Sequence, residues 1–198
     1  MQVAVAVSGR GSNLEALCRA SEGDAALRIA LVVSNRRDAP ALEFARAHGI
    51  AAAGLEAPDD AIEWLQLLGA HRIDLLVLAG YIRLVPPEVV SAYRGRIVNV
   101  HPALLPDFGG PGMYGRRVHE AVLASGATES GPTVHLVDEE YDRGAILAQS
   151  RVPVRKDDTP ETLAARVLAE EHRLLPAVVR AAARAGHPVK LDLTPSST

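Results

Sequence analysis

Five short apolar runs in the first half of the chain, Val3 to Ser8, Ile29 to Ser34, Ala51 to Leu55, Leu75 to Ala79 and Ile97 to His101, are separated by stretches of helical periodicity. Strand-length segments alternating with helices imply parallel strands joined by crossover helices. Their dense Val, Ile and Leu content implies burial on both faces. Helices are expected to start near Asn13, Ala39, Asp59 and Pro87. The fold class that follows is α/β: three αβα layers around a mostly parallel, Rossmann-like sheet.

Past residue 100 the pattern changes. A glycine-rich loop leads into a helix around Val118 to Ala124, and two alternating segments follow, Thr133 to Val137 and Ile146 to Val154. The short turn between them favours antiparallel pairing, so the C-terminal half should contribute antiparallel strands. The last helix opens at Thr159-Pro160-Glu161, an N-cap, a proline at the first helical position and an acid near the positive dipole end. It should run to about Ala185, with Leu163, Val167, Leu174 and Val178 forming one buried stripe. Pro176 has no N–H for the carbonyl of His172, so a bend or loosened turn is expected there. With no repeat or linker, residues 1–187 read as one domain, and the Ser/Thr/Pro-rich stretch Pro188 to Thr198 as a tail that frays.

Composition excludes several classes of function. The chain has 198 residues, of which 48% are hydrophobic and 23% charged, enough for one substantial core. A net charge of −3, from 24 acidic and 21 basic residues, gives no broad cationic field, so nucleic acid is not an expected partner and any anionic ligand must be held locally. No apolar run reaches the length of a membrane span, and the N-terminus enters Val3 to Val7 without a basic leader, so no membrane association is expected and the location should be cytoplasmic. Cys18, the single cysteine, lies in an apolar helical pattern and reads as a buried structural thiol, in keeping with a reducing cytosol.

The segment Asn99-Val100-His101-Pro102 at the end of the fifth strand puts an amide and an imidazole on one face, with Val98 and Val100 on the other. Some forty residues on, Asp142 lies in the turn Val137-Asp138-Glu139-Glu140-Tyr141-Asp142-Arg143-Gly144. A carboxylate of this kind orients an imidazole and favours its protonated form. Together they point to proton transfer at a carbonyl-like centre. A satisfied core histidine and a turn asparagine are the bland alternatives.

Three further segments carry possible chemistry. Ser8-Gly9-Arg10-Gly11-Ser12-Asn13-Leu14 links the first strand to the first helix, where backbone N–H groups and the helix dipole form an anion site. It is neither the dinucleotide fingerprint nor a Walker loop, and an ordinary β-to-α turn remains an equal reading. Leu78-Ala79-Gly80-Tyr81-Ile82-Arg83-Leu84-Val85 carries apolar residues past the sheet's carboxyl edge; they line a pocket for a flat ligand or simply cover that edge. His119 and His135 read as structural or supporting. No His, Cys and Asp cluster has metal-ligand spacing, so no metal is expected, and a serine hydrolase elbow is absent.

In order, Ser-Gly-Arg-Gly-Ser-Asn-Leu, Leu-Ala-Gly-Tyr-Ile-Arg-Leu, Asn-Val-His-Pro-Ala-Leu-Leu-Pro, Gly-Pro-Thr-Val-His-Leu-Val-Asp-Glu-Glu-Tyr-Asp-Arg-Gly and Glu-Glu-His-Arg-Leu-Leu-Pro resemble the phosphoribosylglycinamide formyltransferase family over residues 3 to about 180. The resemblance implies the formyltransferase fold and a role in de novo purine (IMP) biosynthesis and one-carbon metabolism. There the formyl group of 10-formyltetrahydrofolate, the co-substrate, passes to the amine of glycinamide ribonucleotide. It implies Asn99, His101 and Asp142 as the catalytic trio, supported by His135. Gly11, Ser12, Asn13 and Glu171 match the ribonucleotide site. Ile82, Arg83, Leu84 and Val85, with Asn99 and the turn Asp138, Glu139, Glu140, Tyr141 and Asp142, match the folate site. The implied division is phosphate binding in the N-terminal half, and folate binding and catalysis in the C-terminal half, of a monomer or homodimer acting on small molecules.

The chain also departs from the family pattern. The loop Asp107 to Gly115 is longer than in the best-known members and resembles a bacterial variant, and Ala57 to Asp74 is shorter, with no arginine placed to meet the folate. Arg10 replaces a small polar residue in the phosphate loop. The rival enzymes are another folate-dependent formyltransferase or a formyltetrahydrofolate deformylase; a catalytically silent nucleotide- or folate-binding module is the rival outside the enzymes.

Overall fold

The computed structural model describes residues 1–191. In chain order the first half comprises β1 (Gln2–Val7), α1 (Ser12–Ser21), β2 (Arg28–Ser34), α2 (Pro40–Ala47), β3 (Ala51–Gly54), α3 (Ala61–Ala70), β4 (Leu75–Leu78), α4 (Pro87–Ala92) and β5 (Ile97–His101). The second half comprises α5 (Arg116–Ser125), β6 (Glu129–Ser130), β7 (Thr133–Leu136), β8 (Ile146–Gln149), β9 (Val152–Pro153) and α6 (Pro160–Ala185). The strand and helix alternation expected from the sequence is present, and the fold is α/β.

Seven strands form the main sheet in the order β3-β2-β1-β4-β5-β7-β8. The first five are parallel, whereas β7 runs antiparallel to β5 and β8 antiparallel to β7. Each face is apolar, because strand side chains alternate. Val3, Val5, Val7, Val77, Val98 and Val100 pack against α1, α2 and α6 through Leu14, Leu17, Leu42, Leu175 and Val178. Ala4, Ala6, Leu76, Leu78 and Ile97 pack against α3 and α4 through Trp64, Leu68, Val89 and Val90. A third cluster joins Val118 and Val122 of α5 to Leu163 and Val167 of α6.

Strand order reverses between β1, which leads outward to β2, and β4, which continues to β5. In sheets of this kind a crevice opens beyond the carboxyl ends of the strands at such a switch point. The segments after β1, β4 and β5 therefore converge on one place.

Three features of the C-terminal half bear on what the sequence implied. The alternating segment Ile146 to Val154 is divided into β8 and β9, and β9 pairs with β6 in a separate two-stranded ribbon. Gly131 accounts for the break: a Cβ there would lie 1.9 Å from the carbonyl oxygen of Ser150, so only glycine lets the two backbones cross so closely. Secondly, α6 has the extent expected, running as one helix of 26 residues with Pro176 buried inside it. Its first half covers the third cluster and its second half the main core, and this packing outweighs the loss of one backbone hydrogen bond. Thirdly, the tail is anchored where it begins, since Leu191 N–H donates to the carbonyl of Leu147 at 2.8 Å. The remainder of the expected tail, 192–198, lies outside the described residues. Among the described residues no helix is long and apolar enough to cross a membrane.

Candidate active site

A cleft of about 710 Å³ occupies the switch point. Every residue assigned to a site from the sequence lines it: Gly11, Ser12 and Asn13 after β1; Ile82, Arg83, Leu84 and Val85 after β4; Asn99 and His101 at the end of β5; His135 on β7; Asp138 to Asp142 in the next turn; and Glu171 on α6. Both halves of the chain contribute to its lining.

At its centre are two imidazoles and one carboxylate. Asn99 is paired in register with His135 on the neighbouring strand, which brings their side chains together, and Asn99 Nδ2 donates to His135 Nε2 at 3.1 Å. His135 Nδ1 in turn donates to the carbonyl of Leu136 at 2.7 Å, fixing the tautomer that accepts from Asn99. His101 Nε2 donates to the carbonyl of Phe108 at 2.8 Å. Asp142 lies between the rings, Oδ2 at 3.6 Å from His101 Nδ1 and Oδ1 at 3.5 Å from His135 Nε2, while Gly110 N–H donates to Oδ2 at 2.8 Å. Both histidines are almost fully buried, at 3% and 2% exposure.

The turn that delivers Asp142 depends on close backbone packing. A Cβ on Gly144 would lie 1.8 Å from the carbonyl oxygen of Leu136, and one on Gly109 would lie 2.6 Å from Leu105 and 3.1 Å from the Cβ of Asp142. Asp142 itself has a left-handed backbone, φ 55°, a conformation in which Asp is tolerated better than most residues. The loop after β5 is held by Thr133, whose hydroxyl donates to the carbonyl of Ala103 and accepts from the N–H of Leu105.

The charge state of His101 departs from the sequence expectation. Burial lowers its pKa below the ordinary 6.5, outweighing the upward pull of Asp142 and the Phe108 carbonyl, and His135 adds to the lowering. His101 is thus biased towards the neutral form, with Asp142 opposing that bias without reversing it. For Asp142 the balance is reversed. Burial pushes its pKa up, but the adjoining His135 ring, the Gly110 N–H bond and the nearby His101 outweigh that and hold it below the ordinary carboxylate value.

The end of the cleft at α1 differs in character. Gly11 caps the helix with a left-handed backbone, φ 86°, and no side chain caps it, so its first-turn amides are not taken up by a capping residue. A Cβ on Gly11 would meet that of Ala41 at 2.6 Å. Asn13 Nδ2 donates to Glu171 Oε2 at 2.6 Å across 158 residues of sequence. Burial pushes Glu171, 8% exposed, up to about 6, although the Asn13 hydrogen bond draws it back. In the segment after β4, Ile82 and Leu84 are exposed apolar side chains, and Ile82 N–H donates to Ser8 Oγ, which ties this segment to the end of β1.

Several lining residues are engaged elsewhere. Arg83 pairs with Asp59 at 2.6 Å, Glu139 with Arg94, and Glu140 with Arg143 at 3.3 Å. Cys18 is half-buried and packs on the main core, and burial pushes its thiol up to about 11. Sequence reasoning underweighted His119, which lines the cleft while 96% of it is buried from solvent (4% exposed). It missed the Phe108 carbonyl altogether, a backbone group with no side-chain signature. Ala164 and Leu168 also line the cleft, and their helical spacing from Glu171 was the signal that would have found them.

Comparison with known proteins fits this geometry. A family profile described as formyl transferase matches residues 1–179. The chain belongs to the formyl transferase family. A chloroplastic phosphoribosylglycinamide formyltransferase of Arabidopsis thaliana is 48% identical over 188 residues, covering 91% of this chain and 64% of that protein. The phosphoribosylglycinamide formyltransferase of Escherichia coli strain K12 is 38% identical over 190 residues, covering 90% of this chain and 85% of that protein. The crystal structure of phosphoribosylglycinamide formyltransferase from Anaplasma phagocytophilum superposes with a TM-score of 0.86 at 36% identity, covering all of this chain and 91% of that one. This formyl transferase family member thus spans somewhat less than two thirds of the plant relative's length, but most of the bacterial ones.

Proposed function

We propose that the chain transfers the formyl group of 10-formyltetrahydrofolate to the primary amine of glycinamide ribonucleotide, a step of de novo purine biosynthesis, in a reducing cytosol. One observation carries the reading. A single cleft at the switch point is lined by an open helix N-terminus, an apolar strand-end segment, and Asn99, His101 and Asp142. An anionic acceptor, a flat apolar donor and a proton-transfer centre are accommodated together. The names carried by the relatives support the same chemistry.

In this reading the first-turn amides of α1 at Gly11, Ser12 and Asn13 bind the phosphate, and Glu171 accepts from a ribose hydroxyl. Ile82 to Val85 and the turn Asp138 to Asp142 hold the folate, which supplies an activated one-carbon group. Asn99 donates one amide hydrogen to His135 and has a second for the formyl oxygen, where negative charge builds as the amine attacks. His101, neutral beforehand, becomes more basic beside that developing charge, and takes up a proton as Asp142 balances the imidazolium. It then returns a proton to the departing folate nitrogen. Acid–base help of this kind is worth about 10² to 10⁴ in rate, with positioning of the two substrates supplying much of the remainder.

The test incubates purified protein with 10-formyltetrahydrofolate, with and without glycinamide ribonucleotide, and follows tetrahydrofolate release. Release that depends on the acceptor supports the transferase. Release at the same rate without acceptor identifies a deformylase, and no release in either mixture leaves a binding module.

A further inference from the structure

Six carboxylates line the cleft, Asp138, Glu139, Glu140, Asp142, Glu161 and Glu171, against three guanidiniums, Arg10, Arg83 and Arg116. A phosphate dianion entering such a cleft needs positive charge where it comes to rest. Two of the three cations are already committed: Arg83 to Asp59, and Arg116 to both Glu120 and Glu161. Arg10 makes no ion pair or side-chain hydrogen bond among the described residues. It is exposed and directly precedes the open N-terminus of α1, and its charge reaches His172 on α6, the residue after Glu171.

A second observation points to a ligand at this end. Asn13, 7% exposed, lines the cleft, and its Oδ1 has no hydrogen-bond partner although its Nδ2 is bonded to Glu171. An open acceptor beside a carboxylate calls for a hydroxyl donor, within one sugar's length of the helix N-terminus. Anion and hydroxyl together describe a sugar phosphate.

We infer that Arg10 is the counter-charge for the acceptor's phosphate and the main determinant of preference for phosphorylated over unphosphorylated acceptors. Its planar fork presents two parallel N–H groups to phosphate oxygens, while the α1 amides approach from the other side. The remaining lining charge is paired or acidic, so no other side chain on this cleft takes over the role. The inference rests on the acceptor being a phosphorylated amine, as proposed above.

The experiment measures kcat and KM for glycinamide ribonucleotide and for its unphosphorylated nucleoside, at saturating 10-formyltetrahydrofolate, in wild type, Arg10→Ala and Arg10→Lys. Wild type should prefer the ribonucleotide. Arg10→Ala should lose roughly ten- to a hundredfold of that preference through a raised ribonucleotide KM. Arg10→Lys should fall between, and the folate KM should stay put in both variants. A wild-type preference that survives intact in Arg10→Ala overturns the role of Arg10 and leaves the proposed reaction standing. A wild type that uses nucleoside and ribonucleotide equally well overturns the phosphorylated-acceptor reading, and this inference with it. The side chain is exposed and partnerless, so both variants should unfold at the wild-type urea midpoint.

Discussion

At the residue scale, Glu171 shows how the cleft exchanges stability for recognition. Burial raises its pKa from the ordinary 4.5 to about 6, so the folded state holds a proton there that the unfolded chain has already released. The stabilisation this represents is fully present below pH 4.5 and is lost as pH rises through 6. At neutral pH the ionised carboxylate therefore costs on the order of 2 kcal/mol. Glu171→Gln keeps an oxygen for the Asn13 amide and removes the charge. It should thus be more stable than wild type by about that amount at pH 8 and equal to it near pH 4, while the KM for the ribonucleotide rises. Urea denaturation at the two pH values checks this, and a variant whose stability parallels wild type at both contradicts it. Asn99 and His101 were legible in the sequence as polar groups alternating with valines at a strand end, whereas Asp142 and Glu171 lie among other charged residues and took their roles from the family resemblance. The protonation of His101 was not legible. It depends on how completely the ring is buried, which only the folded chain decides.

At the scale of elements, the sheet was legible where burial on both faces leaves an unmistakable apolar run, as in Val3 to Val7 and Leu75 to Leu78. It was illegible where backbone meets backbone. The division of β8 from β9 follows from the crossing of Gly131 over Ser150, and no side-chain pattern announces that contact. The turn between β7 and β8 is positioned in the same way, with Gly144 seated against the Leu136 carbonyl. Gly144→Ala should lift this turn off the strand, at a cost of roughly 1–3 kcal/mol. Because Asp142 is two residues away, kcat should fall more than either KM rises. Steady-state kinetics with a urea midpoint decide it: a variant with wild-type kcat means that Asp142 does not depend on this packing.

At the scale of the whole molecule, the buried histidines and Glu171 gather around one cleft, and the response to acid follows. Burial lowers the pKa of both His101 and His119; His135 adds to the lowering at His101, and His101 to that at His119. A depressed histidine contributes stability that is complete above the unfolded value of 6.5 and is lost as pH falls through the folded value. Glu171 acts in the opposite sense between 6 and 4.5. Stability should be flat from pH 8 to 7 and then decline towards pH 5, and the decline should be shallower in His119→Gln and steeper in Glu171→Gln. Denaturant titrations across this range measure both slopes; identical slopes in all three proteins contradict the assignment of these groups.

In the proposed reaction one cleft passes a formyl group between two bound molecules with Asp142 at the pivot of two imidazoles. The direct measurement uses 10-formyltetrahydrofolate carrying an isotopically labelled formyl carbon and glycinamide ribonucleotide, followed by mass spectrometry in wild type and Asp142→Asn. The account predicts label on the ribonucleotide amine in wild type, with transfer slower by about 10² to 10⁴ in a folded Asp142→Asn. Label appearing only as free formate, or an Asp142→Asn variant that transfers it at the wild-type rate, would contradict the account.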